Sequence, residues 1–524
     1  MTENAWRPRY NPWLITIVVS LAAFMETLDT SIANVALPHI AGSLGVGNDE
    51  STWVLTSYLV SNAIVLPISG WLVSIFGRKR YFLSCIFLFT ASSLACGVAP
   101  SLGLLLVFRV LQGAAGGGLQ PMAQAILADS FPPAQRGVAF SLYGITAVMA
   151  PTIGPTLGGW ITDSYSWRWI FLINGPVGLI ALILVLHMLE DPPYLRRLGA
   201  SGIRLDYIGF GLLALGVGAL QVALDKGQQD DWLGSRFIIT LLIIAVVCLT
   251  SLVIWEWFHK NPIIELRLFK NLNFTSANVM MLVLGVIYFS SLVMMPQFLQ
   301  TLIGYDATKA GLVLSSAGIV LLTMLPVVGQ LTGRIQARFL IALGWCFVAL
   351  SMMYTARSID LTLSFRTASW LRVMQAAGLP LLFVPITLAA YVGLPQEKSS
   401  SAAGLINFMR NIGSSISTSM VTTLIAQRSQ FHQSHLVPRI APDNPTFQSQ
   451  LDALGSRLGN AGLGAYEGHR QALARVYQMV QSQAAALAYV DTFWLLGFGA
   501  GVMVALSFVL RKNDPRAGAT PRDT

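Results

Sequence analysis

The chain has 524 residues, of which 54% are hydrophobic and only 11% are charged, and its formal net charge is +9. Soluble globular proteins carry about 25% charged residues, so this composition excludes an ordinary soluble enzyme. The apolar residues fall into about fourteen stretches of roughly 20 residues, the length that an α-helix needs to cross a bilayer. We therefore expect an all-α, polytopic membrane protein with fourteen transmembrane helices and no room for a soluble catalytic domain.

The predicted spans, taken in chain order, are joined by mostly short connections. They cover residues 13–36, 51–74, 80–99, 102–125, 137–161, 168–189, 207–225, 236–258, 274–298, 307–330, 338–356, 368–391, 401–425 and 487–511. The first span is too long for the core of a cleaved signal peptide, so we expect it to be retained. The four cysteines form no Cys-x2-Cys or Cys/His cluster, so neither a metal site nor a disulfide framework is expected.

The basic residues of the short connections lie mostly on one side of the expected membrane. With the N-terminus on that side, it also receives Arg78, Arg136 and Arg334, whereas the opposite side receives Asp49 and Glu50. Because cytoplasmic loops carry the excess of Lys and Arg, both termini are expected in the cytoplasm. The positive net charge is therefore interpreted as a topology signal and not as a sign of nucleic-acid binding.

Residues 426–486 form the one long polar connection, on the side opposite the termini. Connections in compact proteins rarely exceed about 15 residues without a functional reason. The parts at 450–458 and 468–486 have a helical pattern, so the segment is not expected to be pure linker. It is either a docking or gating element or a solvated loop without a function of its own.

Two motifs occur twice along the chain, in the same order. The end of the second span and the loop after it hold Gly70, Gly77 and Arg78, and the end of the tenth span and the loop after it hold Gly329, Gly333 and Arg334. The fourth span holds Arg109-Val-Leu-Gln112, and the twelfth holds Arg372-Val-Met-Gln375. Repeats of whole helix groups are typical of secondary transporters. They predict two six-helix halves, at 1–200 and 273–524, which flank an inserted helix pair at 201–272.

Several motifs carry a family resemblance. They are Gly70-x6-Gly77-Arg78-Lys79-Arg80, Arg109-x2-Gln112-Gly113, Pro151-x2-Gly154-Pro155-x2-Gly158-Gly159 and the first-span Leu28-Asp29-Thr30 with Asn34. Together they resemble the major facilitator superfamily, and most closely its fourteen-helix drug:proton antiporters of the EmrB type. One departure is that Ser74 and Ile75 replace the usual Asp-Arg pair of the loop motif, so that position lacks the acidic latch.

The resemblance implies a fold of 6 + 2 + 6 helices in a bacterial inner membrane. It implies alternating-access efflux of hydrophobic or amphipathic drugs, driven by the proton gradient without a bound cofactor. It also implies a tripartite pump, in which a periplasmic adaptor (membrane fusion) protein and an outer-membrane channel are the partners. A dedicated exporter of one metabolite, such as a fatty acid or a siderophore, and a non-transporting scaffold or sensor are the alternatives.

Charges inside the spans give the candidate proton-coupling residues. Asp29 and Arg109 each lie about seven residues from the same end of their spans, and Glu26 lies one turn from Asp29 on the same face. Because the first and fourth helices border the central cavity in the family's fold, we expect these groups to meet. Asp29 is either a proton carrier or half of a permanent ion pair with Arg109, and Glu26 is either a proton carrier or a substrate contact.

The remaining candidates concern the cavity and helix packing. The substrate-cavity candidates are Phe24, Met25, Tyr58, Gln112, Tyr288 and Arg410, with core packing as the competing interpretation of the apolar ones. The prolines Pro151 and Pro155 and the glycines Gly154, Gly158 and Gly159 are expected to let helices approach closely and to hold the outward end shut. The loop residues Gly70, Gly77, Arg78, Lys79 and Arg80 either pin helix ends or bind anionic lipid. Arg372 is expected to extend to water.

Overall fold

The structure is a computed structural model that describes residues 8–193, 206–260, 262–440, 444–460 and 464–511. These residues form helices joined by turns and short loops, and no strand occurs among them. Within them, 13 helices are long and apolar enough to cross a membrane. The class predicted from the sequence, an all-α polytopic membrane protein, is therefore confirmed.

The helices follow the order of the predicted spans. The first six are α1 (Pro12–Leu44), α2 (Asp49–Phe76), α3 (Arg78–Gly97), α4 (Leu102–Ser130), α5 (Pro133–Ser164) and α6 (Trp169–Met188). The next pair is α7 (Tyr207–Lys226) and α8 (Arg236–Phe258). The last group is α9 (Leu272–Thr301), α10 (Thr308–Leu331), α11 (Ala337–Ser358), α12 (Phe365–Ala390), α13 (Ser399–Leu436), α14 (Pro445–Leu458) and α15 (Ala465–Ser507).

The helix count depends on α13, which contains the predicted span 401–425. This helix is not among the 13 that meet the criterion of length and apolar composition. It packs between α9, α15, α2 and α4, so its polar side chains contact other helices, and it needs fewer apolar residues than a helix that faces lipid. The count of fourteen spanning helices, in the arrangement 6 + 2 + 6, stays a prediction.

Three predicted boundaries are wrong, because helices continue past them. The helix α1 runs on through Pro38 to Leu44, well beyond residue 36. The described residues of 426–486 include the end of α13, the helix α14 and the first part of α15, and α14 packs along α15. With 43 residues, α15 is roughly 65 Å long, about twice the thickness of a bilayer core. The long polar connection is therefore a helical extension of the bundle.

The helix bundle is packed more tightly at one end than at the other. We call the end with Pro12 and Ser507 the terminal face and the opposite end the distal face. At the terminal face α5 packs against α10, and a Cβ on Gly137 would lie 2.5 Å from the carbonyl oxygen of Gly329. In the same region a Cβ on Gly70 would lie 2.6 Å from the Cα of Ser401. Among the described residues, these contacts hold the first and last helix groups tightly together at the terminal face.

The helix pair α7–α8 lies beside the bundle. α7 packs against α2 and α13, and α8 packs mainly against α7. Asp225 at the end of α7 accepts a hydrogen bond from Thr56 of α2, and the Lys226 ammonium donates to the Thr52 hydroxyl at 2.5 Å. The pair therefore leaves the inner surfaces of α2 and α13 free to line the central cavity.

Candidate functional site

A cavity of about 1300 Å³ lies between the two helix groups. It is lined by α1, α2, α4, α5, α9, α10, α12 and α13. Its wall reaches His39 and Asp163 near the ends of α1 and α5, whose side chains are 46% and 73% exposed. Because these ends belong to the distal face, the cavity opens there and is closed at the terminal face.

Glu26 lies in the wall of this cavity, 5% exposed. Its Oε1 accepts hydrogen bonds from the Tyr58 hydroxyl and from Asn62 Nδ2, both at 3.3 Å. Its Oε2 accepts a hydrogen bond from Gln120 Nε2. The carboxyl group is therefore held by amides and a hydroxyl of α2 and α4, and no cation of the described residues contacts it directly.

Gln120 connects Glu26 with the opposite side of the cavity. Its Oε1 accepts a hydrogen bond from Arg410 of α13, while its Nε2 donates to Glu26 of α1. All three side chains line the cavity. The resulting bridge, Glu26–Gln120–Arg410, spans the cavity from the first helix group to the last, and it supplies the partner for Arg410 that the sequence did not identify.

A break in α4 makes this arrangement possible. The helix is interrupted between Leu102–Gly116 and Leu119–Ser130, at a run of three glycines. A Cβ on Gly116 would lie 2.7 Å from the Tyr58 hydroxyl, and one on Gly117 would lie 2.7 Å from the Asn62 carbonyl oxygen. Side chains at these positions would push α2 away, so the glycines allow Tyr58 and Asn62 to reach Glu26.

Asp29 and Arg109 meet, as their matching depth predicted. Arg109 Nη1 lies 2.6 Å from Asp29 Oδ2, and the two residues are 0% and 2% exposed respectively. Gln112 Nε2 and Asn174 Nδ2 donate to Asp29 Oδ1 at 2.9 and 2.7 Å, and Arg109 Nε donates to the Val54 carbonyl at 3.0 Å. Neither charged residue lines the cavity. The ion pair therefore lies behind the cavity wall and ties α1, α2, α4 and α6 together.

Tyr58 lies between this ion pair and Glu26. The Arg109 guanidinium carbon is 4.3 Å from the centroid of the Tyr58 ring, within the range of a cation–π contact. The hydroxyl of the same tyrosine donates to Glu26. Tyr58 therefore contacts both Glu26 and the Arg109 guanidinium, and a change in the charge or position of Glu26 alters one of these two contacts.

Only half of the predicted cavity residues line the cavity. Tyr58, Tyr288 and Arg410 do, whereas Phe24, Met25 and Gln112 do not. Successive residues of an α-helix are rotated by about 100°, so once α1 turns Glu26 and Thr30 toward the cavity, Phe24 and Met25 face other helices. Met25 is 1% exposed in the core. Gln112 is directed away from the cavity because it donates to Asp29.

The fifth-helix motif packs α5 against α1. A Cβ on Gly154 would lie 2.6 Å from Ser31 Cβ, and one on Gly158 would lie 2.9 Å from Ile32 Cγ2. A Cβ on Gly159 would meet nothing within 4 Å, so the prediction that Gly159 shares the packed face is wrong. Gly159, Pro151 and Pro155 line the cavity instead. In this structure the motif joins two helices of the first group and does not close the distal face.

The loop motif lies at the terminal face. Gly77 has a φ of +81°, a conformation that favours glycine, and it links α2 to α3. Arg78 is 2% exposed and its Nη2 lies 2.6 Å from Asp129 Oδ2. The Lys79 amide donates to Asp191 at 2.7 Å, whereas Arg80 is exposed. The motif therefore pins the ends of α3, α4 and α6 to one another.

Asp129 supplies an acidic contact that the loop motif lacks at Ser74. Ser399 Oγ, at the start of α13, donates to Asp129 Oδ1 at 3.1 Å. An acidic side chain at a helix N-terminus also interacts favourably with the helix dipole. Ser74 itself donates to the Trp71 carbonyl. Asp129 was not among the predicted residues, because it lies in a predicted connection and outside the loop motif.

Gln120, Asn62 and Asn174, which surround the two carboxylates, were not among the predicted residues either. The candidates within the spans were mainly charged and aromatic residues. A search for uncharged amides within apolar spans would have found them, since a buried amide needs hydrogen-bond partners. Their pairing with Glu26 or Asp29 depends on the break in α4 and on helix rotation.

Comparisons with known proteins agree with this architecture. Residues 19–418 match the model of the Major Facilitator Superfamily. The chain is 36% identical over 509 residues to the multidrug export protein EmrB of Escherichia coli K12, covering 97% of this chain and 96% of that protein. It is 38% identical over 499 residues to EmrB of Haemophilus influenzae, covering 94% and 95%. It is 36% identical over 449 residues to the fatty acid resistance protein FarB of Neisseria gonorrhoeae, covering 86% and 87%.

A solved structure of the proton:xylose symporter XylE, bound to 6-bromo-6-deoxy-D-glucose, superposes with a TM-score of 0.61 at 12% identity. The superposition covers 96% of this chain and 97% of that one. At this identity the likeness bears on the fold alone. The family model and the relatives extend over most of the chain. The chain belongs to the Major Facilitator Superfamily, in the branch that contains the EmrB exporters.

Proposed function

We propose that the chain exports hydrophobic and amphipathic compounds across a bacterial inner membrane in exchange for protons. The observation that carries the proposal is a carboxyl group, Glu26, in the wall of a cavity of about 1300 Å³ between the two helix groups. A cavity of this size, with apolar, aromatic and a few polar side chains, suits ligands of varied shape. The names of the EmrB relatives support the same function.

Alternating access accounts for the asymmetry of the bundle. The excess of basic residues supports a cytoplasmic terminal face, and with that orientation the cavity faces outward in this state. An inward-facing state requires separation of the contacts at Gly137, Gly70 and Asp129, together with closure of the distal ends. Rocking of helix groups around a central site is the common scheme of transporters built from repeats.

The position of Glu26 makes it the better candidate for the proton carrier. A proton carrier must exchange its proton with the cavity. After it releases the proton, water or hydrogen-bond partners must stabilise the negative charge that remains on it. Glu26 lines the cavity and has neutral hydrogen-bond donors, whereas Asp29 is closed off and paired with Arg109. We assign Asp29 and Arg109 the task of holding α1 against α4, and Glu26 the task of carrying the proton.

The helical extension at the distal face suits the docking of a periplasmic adaptor protein. Arg428 and His432 of α13 both contact Asp491 of α15 at 2.7 Å, which holds the two extended helices together. α14 packs against α15 beyond them. We propose that this extension receives the adaptor, which connects the pump to an outer-membrane channel.

A dedicated exporter of one metabolite is the second candidate. It is supported by the similarity to FarB, whose name refers to fatty acid resistance. The two candidates differ in substrate range on the same fold.

Reconstitution of the purified chain into proteoliposomes tests the proposal. An imposed pH gradient should drive transport of several structurally unrelated dyes, and a proton ionophore should abolish it. Transport of one metabolite alone would support the dedicated exporter. If the pH gradient drives transport of none of the compounds, proton-coupled export is refuted.

A further inference from the structure

The two copies of the Arg-x2-Gln motif have different surroundings. In the first group, Arg109 Nη1 contacts Asp29 Oδ2 at 2.6 Å and Gln112 Oε1 at 2.8 Å. In the last group, Arg372 Nη1 contacts Ser291 Oγ at 3.0 Å and Gln375 Oε1 at 3.3 Å. Ser291 of α9 therefore occupies the place that Asp29 of α1 has in the first copy.

The same comparison extends to the cavity wall. Glu26 lies three residues before Asp29, and Tyr288 lies three residues before Ser291. Both Glu26 and Tyr288 line the cavity. The last helix group has thus kept the guanidinium of the repeat, while a hydroxyl residue stands in place of each of the two carboxylates.

This leaves a buried cation without a counter-charge. Arg372 is 2% exposed, so the expectation that it extends to water is wrong. Its Nε has no hydrogen-bond partner, and no carboxylate forms an ion pair with Arg372 among the residues that the structure describes. A charged side chain inside a membrane span is costly, and the few that occur usually mark a functional site.

A second guanidinium faces the cavity nearby. The backbone of α13 at Arg410 packs closely on α9, since a Cβ on Gly285 would lie 2.5 Å from the Arg410 carbonyl oxygen. Arg410 lines the cavity, and its side-chain partner is the neutral amide of Gln120. No ion pair of Arg410 occurs within the described ranges. The Tyr288 ring, 5.8 Å from the Arg372 guanidinium carbon, separates Arg372 from the cavity.

We propose that Tyr288, Arg372 and Arg410 form an anion subsite, which we call the cationic wall, and that it binds the anionic head of an amphipathic substrate such as an organic carboxylate. Arg410 contacts the head directly in place of Gln120, because a guanidinium prefers a carboxylate to a neutral amide. Arg372 does not contact the head but attracts it electrostatically from behind the Tyr288 ring. The apolar body of the substrate lies against Leu284, Leu292 and Phe383 of the same cavity.

This subsite rests on the proposed export function and specifies one substrate class for it. Neutral compounds use the apolar part of the cavity alone. Compounds with a carboxylate gain the contact with Arg410. Gln120 remains between the bound head and Glu26, since its amide nitrogen donates to Glu26 while its oxygen is released.

Binding of two matched fluorescent probes to the full chain in lipid nanodiscs tests the proposal. The probes are 1-pyrenebutyrate, an anion, and 1-pyrenebutanol, its neutral counterpart. Arg410→Gln should weaken pyrenebutyrate binding by about tenfold or more, the effect of losing a charge-assisted hydrogen bond, and should change pyrenebutanol binding by less than about twofold. Arg366→Gln, which alters an exposed arginine outside the cavity, is the control and should change neither.

Ser291→Asp is the second variant and does not remove a buried group. It gives Arg372 the partner that Arg109 has in the first copy, so the fold is expected to persist while the anion loses part of the positive field. We expect weaker binding of pyrenebutyrate and unchanged binding of pyrenebutanol. If both variants weaken the two probes equally, or if neither discriminates between them, the anion subsite is refuted.

Competition separates the organic anion from an inorganic one. Dodecanoate should displace pyrenebutyrate, and excess sodium chloride should not. Displacement by chloride as effective as by dodecanoate would overturn the amphipathic-anion proposal. The dye-transport assay distinguishes the two failures, because a chain that transports neutral dyes without probe discrimination refutes only the subsite, and discrimination without any transport refutes the export function.

Discussion

Replacing Asp29 by Asn separates the two tasks assigned to the buried carboxylates. The substitution keeps the shape of the side chain but leaves Arg109, which is 0% exposed, without its counter-charge. Removing one partner of a buried ion pair typically destabilises a protein by about 3–5 kcal/mol. Arg109 Nη1 and Asp29 Oδ2 are 2.6 Å apart, and an amide group at position 29 would point either an oxygen or two donor hydrogens at the guanidinium. We therefore expect Asp29→Asn to lower the stability of the chain markedly.

Glu26→Gln provides the contrast. Glu26 accepts hydrogen bonds from neutral groups, so a neutral glutamine in its place leaves no directly bonded cation without its counter-charge. We expect its stability to stay within about 1 kcal/mol of the original chain, in the range of a single neutral hydrogen bond. Proton-driven efflux should nevertheless be lost, because the glutamine side chain does not titrate.

Thermal unfolding of the purified variants in one detergent, followed by tryptophan fluorescence, compares their stabilities. Glu397→Gln, at an exposed position of the terminal face, is the control. The double variant Asp29→Asn/Arg109→Gln should recover part of the stability lost in Asp29→Asn, since it removes both charges of the pair. If Asp29→Asn is as stable as the original chain and loses proton coupling, while Glu26→Gln keeps it, the assignment is reversed and Asp29 carries the proton.

Three further predictions concern packing and the extension. Gly158→Leu should arrest dye transport without unfolding the protein, because its Cβ would lie 2.9 Å from Ile32 Cγ2. The control Gly159→Ala, whose Cβ would lie in open space, should transport normally. Equal transport by both variants would refute the packing argument. Gly116→Ala should displace Tyr58 from Glu26 and slow proton-driven efflux several-fold, as measured in proteoliposomes. Deleting about residues 440–480 should spare transport in proteoliposomes and abolish resistance in cells that contain the adaptor; loss of transport in proteoliposomes would make the extension a gate.

The membrane class and the Asp29–Arg109 contact could be predicted from the sequence. An ionisable residue in an apolar span needs a partner, and few such residues are available. The matching distance of Asp29 and Arg109 from their span ends was sufficient to pair them. The two copies of the Gly-Arg and Arg-x2-Gln motifs likewise predict two helix groups, whose bounds stay a prediction.

Helix rotation and helix ends could not be predicted. The orientation of Phe24 and Met25 depends on an angular position that the length of a span leaves open. Arg372 lies only seven residues into α12, which suggested access to water, yet Ser291 and Gln375 enclose it. Gln120 reaches both Glu26 and Arg410 because α4 is broken at three glycines, and the sequence shows the glycines without showing the direction of the break.

The most direct test of the account measures protons and substrate together. Proteoliposomes containing the purified chain and an internal pH-sensitive dye report proton movement while a fluorescent substrate reports transport. The account predicts that substrate transport driven by a pH gradient is accompanied by proton movement in the opposite direction. It also predicts that Glu26→Gln abolishes this proton flux but retains exchange of substrate for substrate. Proton flux coupled to substrate in Glu26→Gln, at the rate of the original chain, would contradict the central claim.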